Sequence, residues 1–196
     1  MNLFFELFYK PWVSMAFYPM PVEHWAFFNE ALASFPTIEL LPGYPSSSRR
    51  TKKIQLVVLH HTGSLDVSKA LKWFNNPNNY ASTHWLVDLD GHVQQLVSEE
   101  NASLNIQNAK YKNSRLVAEM SLGIHLVGNG FTPFTEAQYE AVAMLCSYIQ
   151  RKYGLKNEEI FKHAEVETVN SVAPANDPAP WDKEKFQTLL AQFKGI

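Results

Sequence analysis

Histidines are the side chains of this 196-residue sequence with the widest chemical use, because an imidazole can ligate a metal or transfer a proton near neutral pH. His60 and His61 end the run IQLVVLHH, and His163 opens the segment KHAEV and precedes Asp177 in NDPAP. Two imidazole nitrogens and one carboxylate oxygen leave the fourth position of a tetrahedral zinc open, the arrangement of catalytic sites. The sequence thus contains donors for metal-assisted hydrolysis, and their spacing alone does not select among them. The other histidines lie at positions 24, 84, 92 and 125.

The single cysteine and the adjacent pair of histidines narrow the possible sites. Cys146 has no partner for an internal disulfide and no Cys-x-x-Cys neighbour for a redox centre or a thiolate zinc site. Neighbouring side chains of a strand point to opposite faces, so we expect only one of His60 and His61 to address a given site. Any metal must therefore be held by histidines and carboxylates.

The overall composition predicts a folded domain that is not a dedicated nucleic-acid binder. Hydrophobic residues make up 46% of the chain and charged residues 18%, which suits one globular domain with an appendage. The 17 Lys and Arg residues against 19 Asp and Glu residues give a net charge of −2, and neutralising a phosphate backbone needs the opposite balance. We therefore expect no nucleic-acid partner.

The first 50 residues form a predicted N-terminal extension and linker, followed by a main domain over residues 51–196. The start MNLFFELFYKPWVSMAFYPM is aromatic, but Glu6, Lys10 and Pro11 interrupt it, so we expect neither a transmembrane segment nor a signal peptide. A helix is predicted over residues 21–34, and residues 40–53 are predicted to be a solvated basic loop. The extension either packs on the domain or contacts another protein or a membrane face. Localisation stays open between the cytoplasm and release or export by another route.

The pattern of the main domain predicts a mixed β-sheet with helices packed against it. The run from Ile54 to His61 is too short for a helix and nearly continuously aliphatic, as in a buried central strand. Asp90-Gly91 predicts a hairpin, and Thr135 with Gln138 forms a capping-box pattern before a helix that Gly154 ends. Further predicted elements are helices over residues 66–74 and 182–193 and a strand within residues 121–130.

Four ordered segments resemble a known enzyme family. VVLHHTGS, STHWLVDLDGHVQQLV, SLGIHLVGNG and then KHAEV with NDPAP resemble the zinc-dependent type 2 N-acetylmuramoyl-L-alanine amidases, which include peptidoglycan recognition proteins and phage lysozyme-type amidases. The resemblance covers about residues 54 to 190. It implies an α/β fold with a central mixed sheet flanked by helices, an amidase-like catalytic domain, and zinc at one end of the strands.

The resemblance also implies roles for individual residues. His60, His163 and Asp177 match the family's zinc ligands, with an insertion between the last two that must loop out. His125 stands where many active members have a glutamate that acts as general base, so it is the candidate catalytic acid or base. Glu165, which follows His163 in the family's His-x-Glu segment, is a second catalytic candidate.

Other positions matched by the resemblance concern the substrate and show departures from the family. His61 and Thr83 are candidate substrate contacts, and His84 either holds the sheet or faces the substrate. Thr83 stands where some phage enzymes place a catalytic tyrosine. Ala175 replaces a lysine that some active members carry, and ASLNI at residues 102–106 replaces the family's Trp-His segment.

The function implied by the resemblance is zinc-dependent hydrolysis of the amide bond between N-acetylmuramic acid and L-alanine in peptidoglycan or its fragments. Zinc would polarise the lactyl carbonyl and activate a water molecule. The alternative is a non-catalytic module of the same fold that binds peptidoglycan or a muropeptide, because the base and lysine positions are changed. A third possibility is an interaction protein with a vestigial site. We expect a shallow, extended cleft.

Overall fold

The computed structural model describes residues 38–40, 48–168 and 177–193, which belong to one compact unit spanning Pro36–Gly195. The predicted helix over residues 21–34 and the aromatic start of the chain lie outside the described residues. The described strands are β1 Ile38–Leu40, β2 Ser48–Arg49, β3 Leu56–His61, β4 Trp85–Val87, β5 Val93–Gln95, β6 Asn101–Ala102, β7 Ala109–Lys110, β8 Ser121–Leu126, β9 Ile160–Lys162 and β10 Glu167–Thr168. The helices are α1 Val67–Asn75, α2 Val117–Met120, α3 Glu136–Tyr153 and α4 Lys183–Gln192.

A six-stranded mixed sheet is the centre of the fold, with strand order β1-β5-β4-β8-β3-β9. Strands β4, β8, β3 and β9 run parallel, and β5 is antiparallel to β4. The prediction of a buried central strand ending at His61 is confirmed by β3, which is covered on both faces. Because the parallel strands share a direction, the residues at their carboxyl ends meet at one edge of the sheet.

Local sequence signals define the ends of several elements. The hairpin predicted at Asp90-Gly91 joins β4 and β5, and Gly91 has a positive φ of 84°. A Cβ there would lie 2.8 Å from the carbonyl oxygen of Ala137, so the close approach of the turn to α3 requires glycine. Asp66 caps α1, and the predicted capping box of Thr135 and Gln138 begins α3. These predictions are confirmed.

Helices and loops cover both faces of the sheet. On one face α3 and α4 pack against alternate residues of β3 and β8, such as Leu59 and Ile124. Cys146 lies fully buried in this layer. The opposite face of β3 and β8 is covered by α1, α2 and the segment around Ile106, and it carries the residues of the site described below.

The prediction of a solvated basic loop over residues 40–53 is wrong at its described end. β1 pairs with β5 and β2 pairs with β6, so short strands from this region belong to sheets of the unit. The guanidinium of Arg50 donates to the carbonyl oxygens of residues 99, 101, 118, 119 and 121. A planar guanidinium with five N–H donors can satisfy several carbonyl groups at once. The composition of residues 40–53 does not show that Arg50 does so. Among the described residues, no helix is long and apolar enough to cross a membrane.

Candidate metal centre

His60 and His125 lie side by side because of the register between two parallel strands. His60 of β3 is the direct partner of His125 in β8, and both side chains point to the face opposite α3. Their rings stack with centroids 4.3 Å apart and an angle of 5° between the planes. The edge of the Phe74 ring contacts His125 at a centroid distance of 4.9 Å. His125 is thus held between a residue of α1 and a candidate metal ligand.

His163 and Asp177 complete a cluster of donors at this edge of the sheet. His163 begins a short 3-10 turn, His163–Glu165, directly after β9. Oδ2 of Asp177 lies 2.9 Å from Nδ1 of His163 and 3.3 Å from Nδ1 of His60. The backbone carbonyl of Asp177 accepts a hydrogen bond from the N–H of Ala164, which fixes the two segments together. The ligand atoms of His60, His163 and Asp177 lie within 4.8 Å of one another.

The spacing of these atoms suits a small divalent metal. In a tetrahedral site with metal–ligand distances of about 2.0–2.1 Å, neighbouring donor atoms are roughly 3.3 Å apart. The two observed distances to Oδ2 of Asp177, 2.9 and 3.3 Å, are close to this spacing. Two imidazoles and one carboxylate are also donors that zinc accepts.

The pKa values of Asp177 and His60 are shifted in the direction that favours cation binding. Burial alone would raise the pKa of Asp177, but the contacts with His163, His60 and His61 outweigh it and hold the pKa below its ordinary value. Burial lowers the pKa of His60, and its contact with Asp177 only partly offsets this. Metal binding requires an ionised carboxylate and neutral imidazoles. Both shifts favour those forms.

His61 also reaches Asp177, which corrects the expectation that only one of the two neighbouring histidines addresses the site. The backbone N–H of His61 donates to Oδ1 of Asp177 over 2.7 Å, and Nδ1 of its ring lies 2.9 Å from the same oxygen. The two rings do leave opposite faces of β3. The carboxylate, however, sits beyond the end of the strand, where side chains from both faces can approach it.

Glu165 lies beside the centre in sequence but is not among its grouped donors. One oxygen of its carboxylate accepts from the backbone N–H of Lys162, and the other pairs with Nζ of Lys183 at 3.3 Å. These contacts cap the 3-10 turn that carries His163. The structure therefore gives Glu165 a capping position, and its selection as a catalytic candidate stays a prediction.

His84 and Thr83 are buried between strands, so the structural alternative for His84 is the one that the geometry favours. Nδ1 of His84 accepts from the N–H of Gly123, and Nε2 lies 3.1 Å from the carbonyl oxygen of Asn101. The hydroxyl of Thr83 donates to the carbonyl oxygen of Gly123. Both side chains have no exposed surface. Their selection as substrate contacts is corrected for this reason.

A cavity of about 260 Å³ opens beside the candidate metal donors. Its walls include Trp73 and Phe74 from α1, Leu104 and Asn105 from the segment after β6, and the two histidines His61 and His125. A cavity therefore lies next to the grouped donors, and the expected shallow, extended cleft stays a prediction. Residues 169–176, with the predicted insertion and Ala175, lie outside the described part of the chain.

Sequence reasoning missed one residue that contacts His125 and one that connects the strands of the fold. Phe74 was placed on a predicted helix but not connected with His125, because their contact depends on how α1 crosses the sheet. Arg50 was assigned to solvent, although its guanidinium donates to carbonyls within α2 and to the carbonyl of Ser121, the first residue of β8. A useful signal for Phe74 was its spacing from Ala70, since the two share the buried face of α1.

Comparison with known proteins places the chain in a family. Residues 50–180 match the model of the N-acetylmuramoyl-L-alanine amidase family, so the chain belongs to that family. It is 26% identical over 110 residues to the 1,6-anhydro-N-acetylmuramyl-L-alanine amidase AmpD of Enterobacter cloacae, covering 56% of this chain and 57% of the relative. It is 25% identical over 174 residues to the N-acetylmuramoyl-L-alanine amidase AmiD of Escherichia coli, covering 78% and 60%. The chain thus spans less than two thirds of the length of these two relatives.

A solved structure supports the fold. The complex of E. coli AmiD with the substrate anhydro-N-acetylmuramic acid-L-Ala-D-γ-Glu-L-Lys superimposes with a TM-score of 0.60. The match has 21% sequence identity and covers 73% of this chain and 60% of the AmiD chain. The predicted α/β fold with a central mixed sheet flanked by helices is confirmed.

Proposed function

We propose that this chain is a zinc-dependent N-acetylmuramoyl-L-alanine amidase that acts on peptidoglycan or its fragments. The observation that carries the proposal is the convergence of His60, His163 and Asp177 at the carboxyl edge of the parallel strands. Family membership supplies the reaction class, and the substrate follows from the two curated relatives, whose names describe muramyl-L-alanine amidases.

In this proposal His60, His163 and Asp177 hold the zinc. When bound, zinc supplies a Lewis acid that polarises an amide carbonyl and activates water. The substrate's amide lies between the donors and the cavity. His125 lines that cavity beside His60 and takes up a proton at an imidazole nitrogen, then passes it to the leaving L-alanine nitrogen. Phe74 and His60 keep the His125 ring in place.

A second candidate function is recognition of a muropeptide without cleavage. Its supporting observation is that the position matched to the family's glutamate carries His125, while Ala175 stands where some active members have lysine. A site with three metal ligands and no effective proton acceptor would still bind the ligand.

The test measures release of L-alanine amino groups from purified peptidoglycan by the zinc-loaded full chain. We expect release by the wild type and none by His60→Ala. The matched control is His92→Ala, which removes a histidine outside the grouped metal donors. Zinc content, measured by atomic absorption, should fall in His60→Ala only. Bound zinc with peptidoglycan binding but no release would support recognition and contradict the amidase.

A further inference from the structure

His61 lies at the metal centre, and the proposed mechanism gives it no role. It is not one of the three grouped donors of the described residues, yet it contacts the carboxylate of one of them. Its backbone N–H donates to Oδ1 of Asp177 over 2.7 Å, and Nδ1 of its ring lies 2.9 Å from the same oxygen. Two groups of one residue therefore converge on a single carboxylate oxygen.

The two carboxylate oxygens of Asp177 face different partners. Oδ2 lies 2.9 Å from Nδ1 of His163 and 3.3 Å from Nδ1 of His60, on the side of the grouped donors. Oδ1 is turned towards His61. Because both oxygens belong to one rigid, planar carboxylate, a residue that holds Oδ1 also limits the directions in which Oδ2 can point.

The contact between the His61 ring and Asp177 is largely shielded from water. The exposed fraction is 20% for the side chain of His61 and 11% for that of Asp177. Nδ1 of His61 is buried and has no hydrogen-bond partner elsewhere among the described residues. A buried N–H that loses its acceptor costs free energy, so a proton on Nδ1 favours the carboxylate orientation that keeps Oδ1 beside it.

The other ring nitrogen of His61, Nε2, lies against the turn at Gly130. A Cβ at position 130 would be 3.2 Å from this nitrogen, closer than side chains normally pack, and the φ of Gly130 is +83°. The turn is joined to the loop after β3, because the N–H of Gly128 donates to the hydroxyl of Thr62 over 3.2 Å. The glycine thus leaves room for the ring, and the turn limits its movement.

We propose that His61 is a positioning residue of the metal centre, whose ring, with a proton on Nδ1, holds Oδ1 of Asp177 so that Oδ2 points to the metal. This inference rests on the zinc centre of the proposed function. A carboxylate that is already held in its binding orientation loses less conformational freedom when the metal binds, so the affinity is higher. Removing a partner that contacts a metal ligand typically weakens metal binding about 10–100-fold.

The first test measures the Kd for zinc by competition with a chromophoric chelator, with all proteins full-length. The Kd should rise about tenfold in His61→Leu, the lower end of the usual range, because the backbone N–H of residue 61 remains. His61→Asn should stay within about threefold of the wild type, since its side-chain amide can place an N–H near the position of Nδ1. The amide of His61→Gln reaches towards the position of Nε2, so this variant should bind zinc as weakly as His61→Leu.

Two controls accompany the zinc titration. His92→Leu removes a histidine outside the grouped donors and should keep the wild-type Kd. Urea unfolding of the zinc-free proteins establishes that each variant is folded. If His61→Leu does not fold, the comparison of His61→Asn with His61→Gln decides the question, because both replacements are uncharged amides.

Kinetics separate positioning of Asp177 from the substrate contact that the sequence suggests for His61. On a soluble N-acetylmuramyl-L-alanine peptide, turnover by His61→Leu should fall with its metal content when zinc is limiting. Excess zinc should recover most of the lost turnover, with KM within about threefold of the wild type throughout. A substrate contact would instead raise KM at every zinc concentration.

An unchanged zinc Kd in folded His61→Leu, or equal Kd values for His61→Asn and His61→Gln, would overturn the inference. A raised KM that excess zinc does not correct would also overturn it. Failure of the amidase proposal is distinguishable, because a wild type that binds zinc and releases no L-alanine contradicts the reaction while the zinc titration still decides the role of His61. A wild type that binds no zinc would contradict the metal centre and this inference with it.

Discussion

At the scale of single residues, the two carboxylate oxygens of Asp177 make different contacts. One carboxylate oxygen faces Nδ1 of His60 and of His163, and the other accepts the backbone N–H of His61. The second contact anchors the carboxylate to the end of β3. The same residue therefore serves as a candidate ligand and as the link between the loop before α4 and the central strand.

The role of His125 is the prediction that belongs to this scale. Replacing His125 with alanine should lower kcat by about 10² to 10⁴-fold, the usual contribution of a general acid or base. Zinc content should remain that of the wild type, because His125 is outside the grouped ligands. Steady-state kinetics with metal analysis tests this. An unchanged kcat in zinc-loaded His125→Ala would remove His125 from the mechanism, and loss of zinc would show that it supports the ligands instead.

At the scale of elements, the part of the site that lies at the ends of the strands could be predicted from the sequence pattern. His60 and His125 end two aliphatic runs, and parallel neighbours place such ends together, so this half of the site follows from sequence. Their exact pairing depends on register, which no local signal specifies. The position of Arg50 was missed for a related reason: its carbonyl partners are 49 or more residues away and become neighbours only after folding. The contact of His61 with Asp177 was missed because alternation applies within a strand and not beyond its end.

Replacing Arg50 should have a large effect on the free energy of unfolding. Arg50→Ala removes a half-buried guanidinium from five carbonyl acceptors that connect β6, α2 and β8, so unfolding in urea should show a loss of about 3 kcal/mol. Arg50→Lys should recover less than half, because an ammonium has three donors and lacks the planar fork. The exposed Lys53→Ala is the matched control and should change stability by less than about 0.5 kcal/mol. Equal stability of Arg50→Ala and wild type would contradict the assignment.

The buried His84 should make the folded chain less stable as the pH falls. Burial, followed by the charge of Arg50, lowers the pKa of His84 to about 3. The unfolded chain, with a pKa of about 6.5, binds a proton that the folded chain excludes. This contribution is complete above pH 6.5 and is lost as the pH falls from 6.5 towards 3, by up to about 1.4 kcal/mol per pH unit.

The comparison for His84 is His84→Gln, which keeps an acceptor for the N–H of Gly123 and does not titrate. Urea unfolding between pH 7 and pH 4 should give a shallower dependence of stability on pH for the variant than for the wild type. Other groups titrate equally in both proteins, so only the difference in slope is attributed to His84. Parallel curves would contradict a neutral His84 in the folded chain.

For the whole molecule, the candidate ligands come from widely separated parts of the chain: β3, the turn after β9 and the loop before α4. A bound metal would join these parts in the folded state only, so it should stabilise the fold through mass action. At a free zinc concentration about 100 times the Kd the gain is about 2.7 kcal/mol, which corresponds to roughly 5–10 °C in Tm for a chain of this size. The site thus acts as a cross-link between distant segments as well as a reaction centre.

Thermal unfolding with and without a chelator tests this cross-link independently of any activity. Zinc should raise the Tm of wild type and of His92→Ala, and a chelator should reverse the change. His60→Ala and Asp177→Asn should show little response, because each lacks one of the converging ligands. Asp177→Asn should also start from a lower Tm, since a neutral amide replaces the carboxylate that contacts three imidazoles. If zinc stabilised His60→Ala as strongly as wild type, the ion would bind elsewhere, and the metal centre assigned to these three residues would be wrong.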